Sequence, residues 1–399
     1  MLTVAVTRVE TPLLVVADKN IPFAREAFGP LGRVELVETG GVTPEIVRTA
    51  DALVVRSETR VDARLLEGSR VRFVGTATIG TDHCDIGYFR SRGIAFASAP
   101  GSNAASVSEY LVAALLVLAE RRNLTLAGMT LGVVGVGHVG SKVVRAAGVL
   151  GMLVLQCDPP LGRATGEERY RPLDELMGAD IVTLHVPLTA EGPDPTLHLF
   201  NRERIARMKR GAVLINTARG AVVDQGALKD ALSRGALSAA ILDVWENEPA
   251  IDTDLLSQAL LGTPHIAGYS LDGKVNAVRL VCEALYPFAG KDLREIPSFM
   301  LPPPASATVA LESVPVKEAA LRTAVQHCYD IAEDDRRLRA LASVSAAERP
   351  GLYRRLRTAY PVRREFPAFT VSLAGASAAL APAFRSLRYR VRLPGEPGA

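Results

Sequence analysis

The sequence predicts an α/β protein in three parts: two parallel sheets clad in helices, one inserted into the other, and a small α+β tail. Three observations carry that expectation. Short apolar runs alternate with helix-length segments from Leu13 to Tyr286, the rhythm of parallel strands joined by helical crossovers. A glycine signature, Gly135-Val136-Gly137-His138-Val139-Gly140, sits between an apolar run and a helical segment. Prolines at Pro287, Pro297 and Pro302-Pro303-Pro304 then mark a linker before the tail.

Length and composition fit this plan. A chain of 399 residues is too long for one ordinary core. Hydrophobic content of 48% and charged content of 22% are those of a globular protein. A net charge of +3 gives no general reason to expect nucleic acid as a partner. The basic excess belongs to the tail, where residues 300–399 hold fifteen Lys and Arg against nine Asp and Glu. The four cysteines, Cys84, Cys157, Cys282 and Cys328, are far apart and suggest neither a disulfide framework nor a zinc site. Reduced thiols in the cytoplasm are the expectation. No signal peptide is expected, and Leu111–Ala119 is too short an apolar run to cross a bilayer.

The first sheet is expected from Leu13–Ala17, Val34–Val37, Ala52–Val55, Val71–Thr76 and Ile94–Ala97, with helices at Pro22–Phe28 and Pro44–Thr49. Its doubly wound rhythm is flavodoxin-like. The segment before Leu13 reads as a dispensable extension. A buried helix, Ser102–Glu120, leads to the second sheet. Its strands are expected at Leu131–Val136, Leu153–Cys157, Ile181–Val186, Ala212–Asn216, Ala239–Val244 and Thr263–Ile266. A helix over Lys274–Tyr286 is expected to return to the first sheet. The first domain is then discontinuous (1–105 and 268–290), the second spans 106–267, and the tail 291–399. In the tail, strands are expected at Ala307–Leu311, Phe369–Leu373 and Arg388–Arg392, with helices over Val316–Tyr329 and Asp334–Ala342.

The glycine signature has the Rossmann form, and each glycine has a task. Gly135 permits the tight turn, Gly137 lets backbone approach a pyrophosphate, and Gly140 lets the helix pack against the sheet. The backbone of Gly135, Gly137, His138, Val139 and Gly140, at a helix N-terminus, suits phosphate binding. Asp158 ends the next strand, eighteen positions after Gly140, where a carboxylate accepts hydrogen bonds from a ribose. NAD is therefore the expected cofactor. Arg163 leaves NADP as the minor alternative, because a nearby arginine can accept a 2′-phosphate.

Three polar residues follow expected strand ends in the second sheet: Arg219, Glu248 and His265. The set suits oxidation of a 2-hydroxy acid. A neutral His265 takes the hydroxyl proton, Glu248 binds the other ring nitrogen, and Arg219 grips a carboxylate with its planar fork. Asp243 either holds the nicotinamide amide or orients backbone. Taken singly each residue is more simply a structural one; the order behind a dinucleotide signature is what favours chemistry. The side chains of His83, His138, His185, His198 and His327 read as structural, and no metal site is expected.

The strings GVGHVG, INTARG, DVWENEP and GTPHIAGY resemble the D-isomer-specific 2-hydroxyacid dehydrogenases. Further strings, VVADKNIPFARE (15–26), VRSETRV (55–61), FVGTATIGTDHCD (73–85), CDPP (157–160), YDIAEDDRRLR (329–339) and RREFPAF (363–369), are similar to a branch of that family with a phosphorylated substrate and a dimerising tail. The resemblance implies NAD-dependent oxidation of 4-phospho-D-erythronate by a homodimer, within vitamin B6 synthesis. It implies catalytic roles for Arg219, Glu248 and His265. It also implies cofactor contacts at Asp158, Thr217, Ala218, Arg219, Asp243 and Gly268, and substrate contacts at Ser57, Thr78 and Tyr269. Arg56, with Ser57 and the backbone after Lys19, is a candidate for the phosphate; Arg363 or Arg364 is a candidate to reach in from a partner subunit. Two alternatives stand beside this reading: another D-2-hydroxyacid dehydrogenase, acting on phosphoglycerate or glycerate, and a non-catalytic protein that senses NAD(H).

Overall fold

A computed structural model describes residues 12–312, 314 and 316–395; the expected extension before Leu13 falls on residues 1–11, outside them. The chain divides into two compact units. One holds residues up to Asn103 together with Ser270–Pro302, and the other holds Ala104–Tyr269 with the chain from Pro303 onward.

The first unit is built on five parallel strands: β1 (Leu13–Asp18), β2 (Gly32–Val37), β3 (Ala52–Val55), β4 (Phe73–Thr76) and β5 (Ala95–Ala97). Their order, β2-β1-β3-β4-β5, is that of flavodoxin-like doubly wound sheets. Central strands β3 and β4 are buried along their whole length, which explains runs that are apolar without alternation. Helix Leu271–Phe288 lays Val278, Val281, Cys282 and Leu285 on Val15, Val54 and Phe73. Gly75 in β4 makes room for it: a Cβ there would stand 2.8 Å from Val281 Cγ1.

The second unit contains six parallel strands: β6 (Thr130–Val134), β7 (Leu153–Cys157), β8 (Ile181–Leu184), β9 (Ala212–Asn216), β10 (Leu237–Leu242) and β11 (Leu261–Gly262). Their order is β11-β10-β9-β8-β6-β7. The direction of winding reverses between β6 and β8, and ligands of such sheets bind beyond the carboxyl ends of strands at that reversal. Helix Ala104–Arg122 is buried from Ser106 to Ala119, as its apolar run Leu111–Ala119 requires.

The last strand is displaced from its expected place. It occupies Leu261–Gly262, and Thr263–Ile266 is a loop. Pro264 has no N–H to give a ladder. The N–H groups of His265, Ile266 and Ala267 go instead to Asp243.

Within the tail, β12 (Thr308–Glu312), β13 (Thr370–Ala374) and β14 (Arg390–Arg392) form a three-stranded sheet. The strands pair in parallel, since helices occupy both connections. The sequence pattern did not show one of these helices, Ala381–Ser386. The tail's core residues, among them Leu321, Ala324 and Phe366, are continuous with Leu111, Leu115 and Leu118 of helix Ala104–Arg122. Among the described residues, no helix is long and apolar enough to cross a membrane, and no group of three His, Cys, Asp or Glu could hold a metal ion.

Candidate active site

The glycine loop follows β6. Gly135 has φ +86°, and a Cβ on it would stand 2.6 Å from His185 O. A Cβ on Gly140 would collide with the carbonyl oxygen of Gly135. Gly137 differs: it is exposed and nothing lies within 4 Å of its Cβ position. The outer two glycines are thus demanded by the fold, and the middle one leaves an open approach to backbone. His138 is exposed beside it, and Val139 precedes helix Gly140–Val149. The first N–H groups of a helix have no intrahelical acceptor and favour an anion.

Asp158 follows β7. Its Oδ2 accepts from Val136 N at 2.7 Å and its Oδ1 from Leu161 N at 3.0 Å. One carboxylate therefore ties the glycine loop to the second strand and caps helix Pro159–Thr165. An ionised carboxylate has about four acceptor positions, so capacity for a ribose hydroxyl remains. Arg163 forms a two-pronged ion pair with Asp194. That pairing occupies the cation that would otherwise favour a 2′-phosphate. The loop and the carboxylate fit NAD.

Beyond β9, the side chain of Asn216 is wholly buried. It accepts from Ala218 N at 3.0 Å and donates to Arg219 O at 2.9 Å, which shapes Thr217-Ala218-Arg219. His185, past β8, shares one ring nitrogen with Thr183 Oγ1 at 3.0 Å and the other with Thr217 Oγ1 at 3.2 Å. Burial pulls its pKa down to about 3, so this ring is neutral and structural. Arg219 donates from Nη1 to Ala218 O at 2.8 Å. Gly220 meets the Trp245 backbone so closely that a Cβ would stand 2.1 Å from its carbonyl. The Arg219 turn is thereby packed on the segment that carries Glu248.

Beyond β10, Asp243 is almost fully buried. Its Oδ1 accepts from Thr263 Oγ1 and Ile266 N, each at 2.7 Å, and its Oδ2 from Ala267 N at 3.0 Å. Its carbonyl accepts from His265 N at 2.7 Å. Burial raises the Asp243 pKa; the His265 charge and these donors oppose the rise without cancelling it. Of the two expected roles, orientation of backbone is the one these bonds perform. His265 is held at φ +58°, a left-handed conformation that costs a non-glycine residue about 1–3 kcal/mol. The Asp243 bonds hold it there.

Glu248 Oε1 accepts from Trp245 N at 2.8 Å, and its Oε2 lies 2.8 Å from His265 Nδ1. Burial pushes the Glu248 carboxyl up, but the His265 charge and hydrogen bond, the Trp245 N–H and Arg357 outweigh it, and the pKa is lowered. The other glutamate of the same string, Glu246, pairs with His198 at 2.7 Å. The two carboxylates thus have different partners. A carboxylate on Nδ1 fixes the tautomer, leaves Nε2 as the reacting nitrogen, and stabilises the imidazolium when that nitrogen takes a proton. Gly268 and Tyr269 continue the loop, both half-buried.

In the first unit, Arg56 and Ser57 follow β3 and Thr78 follows β4. Thr78 Oγ1 lies 2.7 Å from the buried Thr76 Oγ1 and donates to Gly80 O at 2.9 Å. His83 Nε2 holds the Thr76 hydroxyl at 2.9 Å, a structural task. The backbone after Lys19 is less available than expected. Lys19 N donates to Val37 O and Asn20 N to Asp18 Oδ1, while the Lys19 ammonium pairs with Glu38. Arg363, the other candidate for the substrate, is engaged within its own chain. It is buried, over the Tyr329 ring at 4.4 Å and bonded to Ala267 O and Ser106 O.

The model of the D-isomer specific 2-hydroxyacid dehydrogenase NAD binding domain matches residues 116–267, and a domain of unknown function matches 300–386. The fold and the site define an NAD-dependent 2-hydroxyacid dehydrogenase. Among solved structures, the chain is similar to D-lactate dehydrogenase from Aquifex aeolicus complexed with NAD and lactic acid. That likeness has a TM-score of 0.59 and 29% identity, covering 71% of this chain and 97% of that one. Erythronate-4-phosphate dehydrogenase from Marinobacter nauticus is 42% identical over 96% of this chain and 100% of its own length. The enzyme of the same name from Salinibacter ruber is 45% identical over 90% and 94%. The chain belongs to the erythronate-4-phosphate dehydrogenase family.

Proposed function

We propose that this chain oxidises 4-phospho-D-erythronate at C2 to (R)-3-hydroxy-2-oxo-4-phosphobutanoate, a step in the formation of pyridoxal 5′-phosphate. The observation that carries the chemistry is the 2.8 Å Glu248–His265 pair; the similarity along nearly the whole chain to enzymes named for this substrate supports its identity. His265 Nε2 removes the C2 hydroxyl proton, and Glu248 stabilises the resulting imidazolium. Arg219 binds the substrate carboxylate and polarises the C2 oxygen. Bound NAD supplies the acceptor for the hydride that leaves C2. Gly135, Gly137, His138, Val139, Gly140, Asp158, Thr217, Ala218, Arg219, Asp243 and Gly268 are the proposed cofactor contacts. Ser57, Thr78, Tyr269 and Arg56 are the proposed substrate contacts, with Arg56 the cation for phosphate. Among the described residues Arg56 has no carboxylate partner. The division into 1–105 with 268–290, 106–267 and 291–399 belongs to the same proposal, with the third part joining two copies. The homodimer works in the cytoplasm, without nucleic acid or membrane as a partner.

Comparison of 4-phospho-D-erythronate with unphosphorylated D-erythronate tests the substrate assignment. A much higher kcat/KM for the phosphorylated acid is expected, and Arg56→Ala should erode that preference. Equal rates for the two acids would remove the phosphate from the proposal.

A further inference from the structure

The tail reaches the loop that carries His265 at three points, all within the second unit. Arg357, in the last turn of helix Arg349–Thr358, donates from Nη2 to the Tyr269 hydroxyl at 3.0 Å. Its guanidinium carbon lies 5.6 Å from the centre of that ring. Tyr360 sets its own ring edge-on to Tyr269 at 6.0 Å and is anchored by donating to Asp334 Oδ2 at 2.7 Å. Arg363 binds Ala267 O. Tyr353, one turn before Arg357, is fully buried, and the Glu248 charge helps to raise its phenol above the usual range, after burial itself.

Arg357 is an expensive residue to keep for packing alone. Its Nε is buried with no hydrogen-bond partner, and an unsatisfied donor of a charged group opposes folding. Its visible partner is a single tyrosine, four positions after the candidate base. An N–H donated to a phenol oxygen withdraws electron density from it. The phenol O–H then becomes a stronger donor to an anion. The same positive charge helps hold the Glu248 carboxyl below its ordinary range.

We propose that Arg357 is a positioning residue of the active site: it fixes the Tyr269 phenol and strengthens that hydroxyl as a donor to an anionic oxygen of the hydroxy-acid substrate. The tail of each chain thereby completes the active site of that same chain. This rests on the function proposed above, in which Tyr269 contacts substrate.

The test is a double-mutant cycle of Arg357→Met and Tyr269→Phe, read as kcat/KM for 4-phospho-D-erythronate. NADH binding is followed in parallel by nicotinamide fluorescence. Each single variant should lose about tenfold or more in kcat/KM, chiefly through KM, as expected for a charge-assisted hydrogen bond. NADH affinity should stay close to wild type. The double variant should be no worse than the poorer single one, and Arg357→Lys should recover part of the loss. If Arg357→Met does not fold, Arg357→Lys with Tyr269→Phe supplies the cycle. Losses that multiply in the double variant, or Arg357 variants with wild-type kcat/KM, would overturn the proposal. Wild-type protein inactive on 4-phospho-D-erythronate would instead discard that substrate. The cycle is then read with the D-2-hydroxy acid that the protein does oxidise, and the coupling still decides the role of Arg357.

Discussion

Gly220 lies so close to the Trp245 backbone that a single added carbon would stand 2.1 Å from its carbonyl. This contact joins the turn bearing Arg219 to the segment bearing Glu248, and Glu248 in turn reaches back to Trp245 N. Within the second unit, Arg219, Glu248 and His265 are therefore tied together by a backbone contact and by the Glu248 hydrogen bonds, ahead of any ligand. Such preorganisation lets charges act on a developing transition state without first having to move.

Glu248→Gln should lower kcat roughly 10²-fold or more while KM changes little, because the amide cannot offset the imidazolium charge. It should also alter stability with pH. A carboxyl whose pKa is lowered by folding adds stability above its ordinary value of 4.5. That increment is lost as pH falls through the lowered value. The stability gap between wild type and variant should shrink on acidification below pH 4.5; a gap constant with pH would argue that the pair does not form.

His265→Ala should abolish turnover, by about 10²–10⁴-fold for loss of a general base, and leave NADH binding nearly intact. Wild-type turnover in the variant would move the base elsewhere.

Two glycines three positions apart, Gly137 and Gly140, should behave oppositely. Gly140→Ala places a carbon against the Gly135 carbonyl and should lower Tm, at about 1–3 kcal/mol for an overpacked site. Gly137→Ala meets nothing within 4 Å and should fold normally but bind NADH more weakly. Thermal melts and NADH titrations separate the two, and a Gly137→Ala protein with unchanged NADH affinity would remove the cofactor from that face of the loop.

Asp243→Asn should destabilise the protein and impair turnover together. An asparagine turns one acceptor into a donor facing backbone N–H groups, and a buried unsatisfied donor costs about 1–3 kcal/mol. Loss of kcat without any change in Tm would mean that Asp243 acts on the cofactor and not on the His265 loop.

The glycine loop, Asp158, Arg219, Glu248 and His265 were legible because parallel sheets place strand ends on one edge, and strand ends are local patterns. Asn216 and His185 were not read as positioning residues, since their partners lie in loops whose proximity only the fold reveals. Pro264 gave the one displaced strand: an apolar run around His265 resembles a strand, but a buried carboxylate takes its N–H groups. Arg357 was invisible for the same reason as the Gly220 contact. Eighty-eight residues separate it from Tyr269, and no spacing rule connects an exposed-looking basic helix to a loop so distant in the chain.

The most direct measurement is NADH formation with 4-phospho-D-erythronate beside 3-phospho-D-glycerate, D-glycerate and D-lactate at equal concentration. If the reduced cofactor stays bound, a 2-oxo acid acceptor is added and its reduced product is followed in place of NADH, so that tightly held NADH is not mistaken for inactivity. A clear preference for 4-phospho-D-erythronate is expected, with turnover lost in His265→Ala. Preference for another acid would contradict the substrate while leaving the chemistry. NADH binding without turnover of any of the four would contradict the enzyme itself and favour a sensing protein.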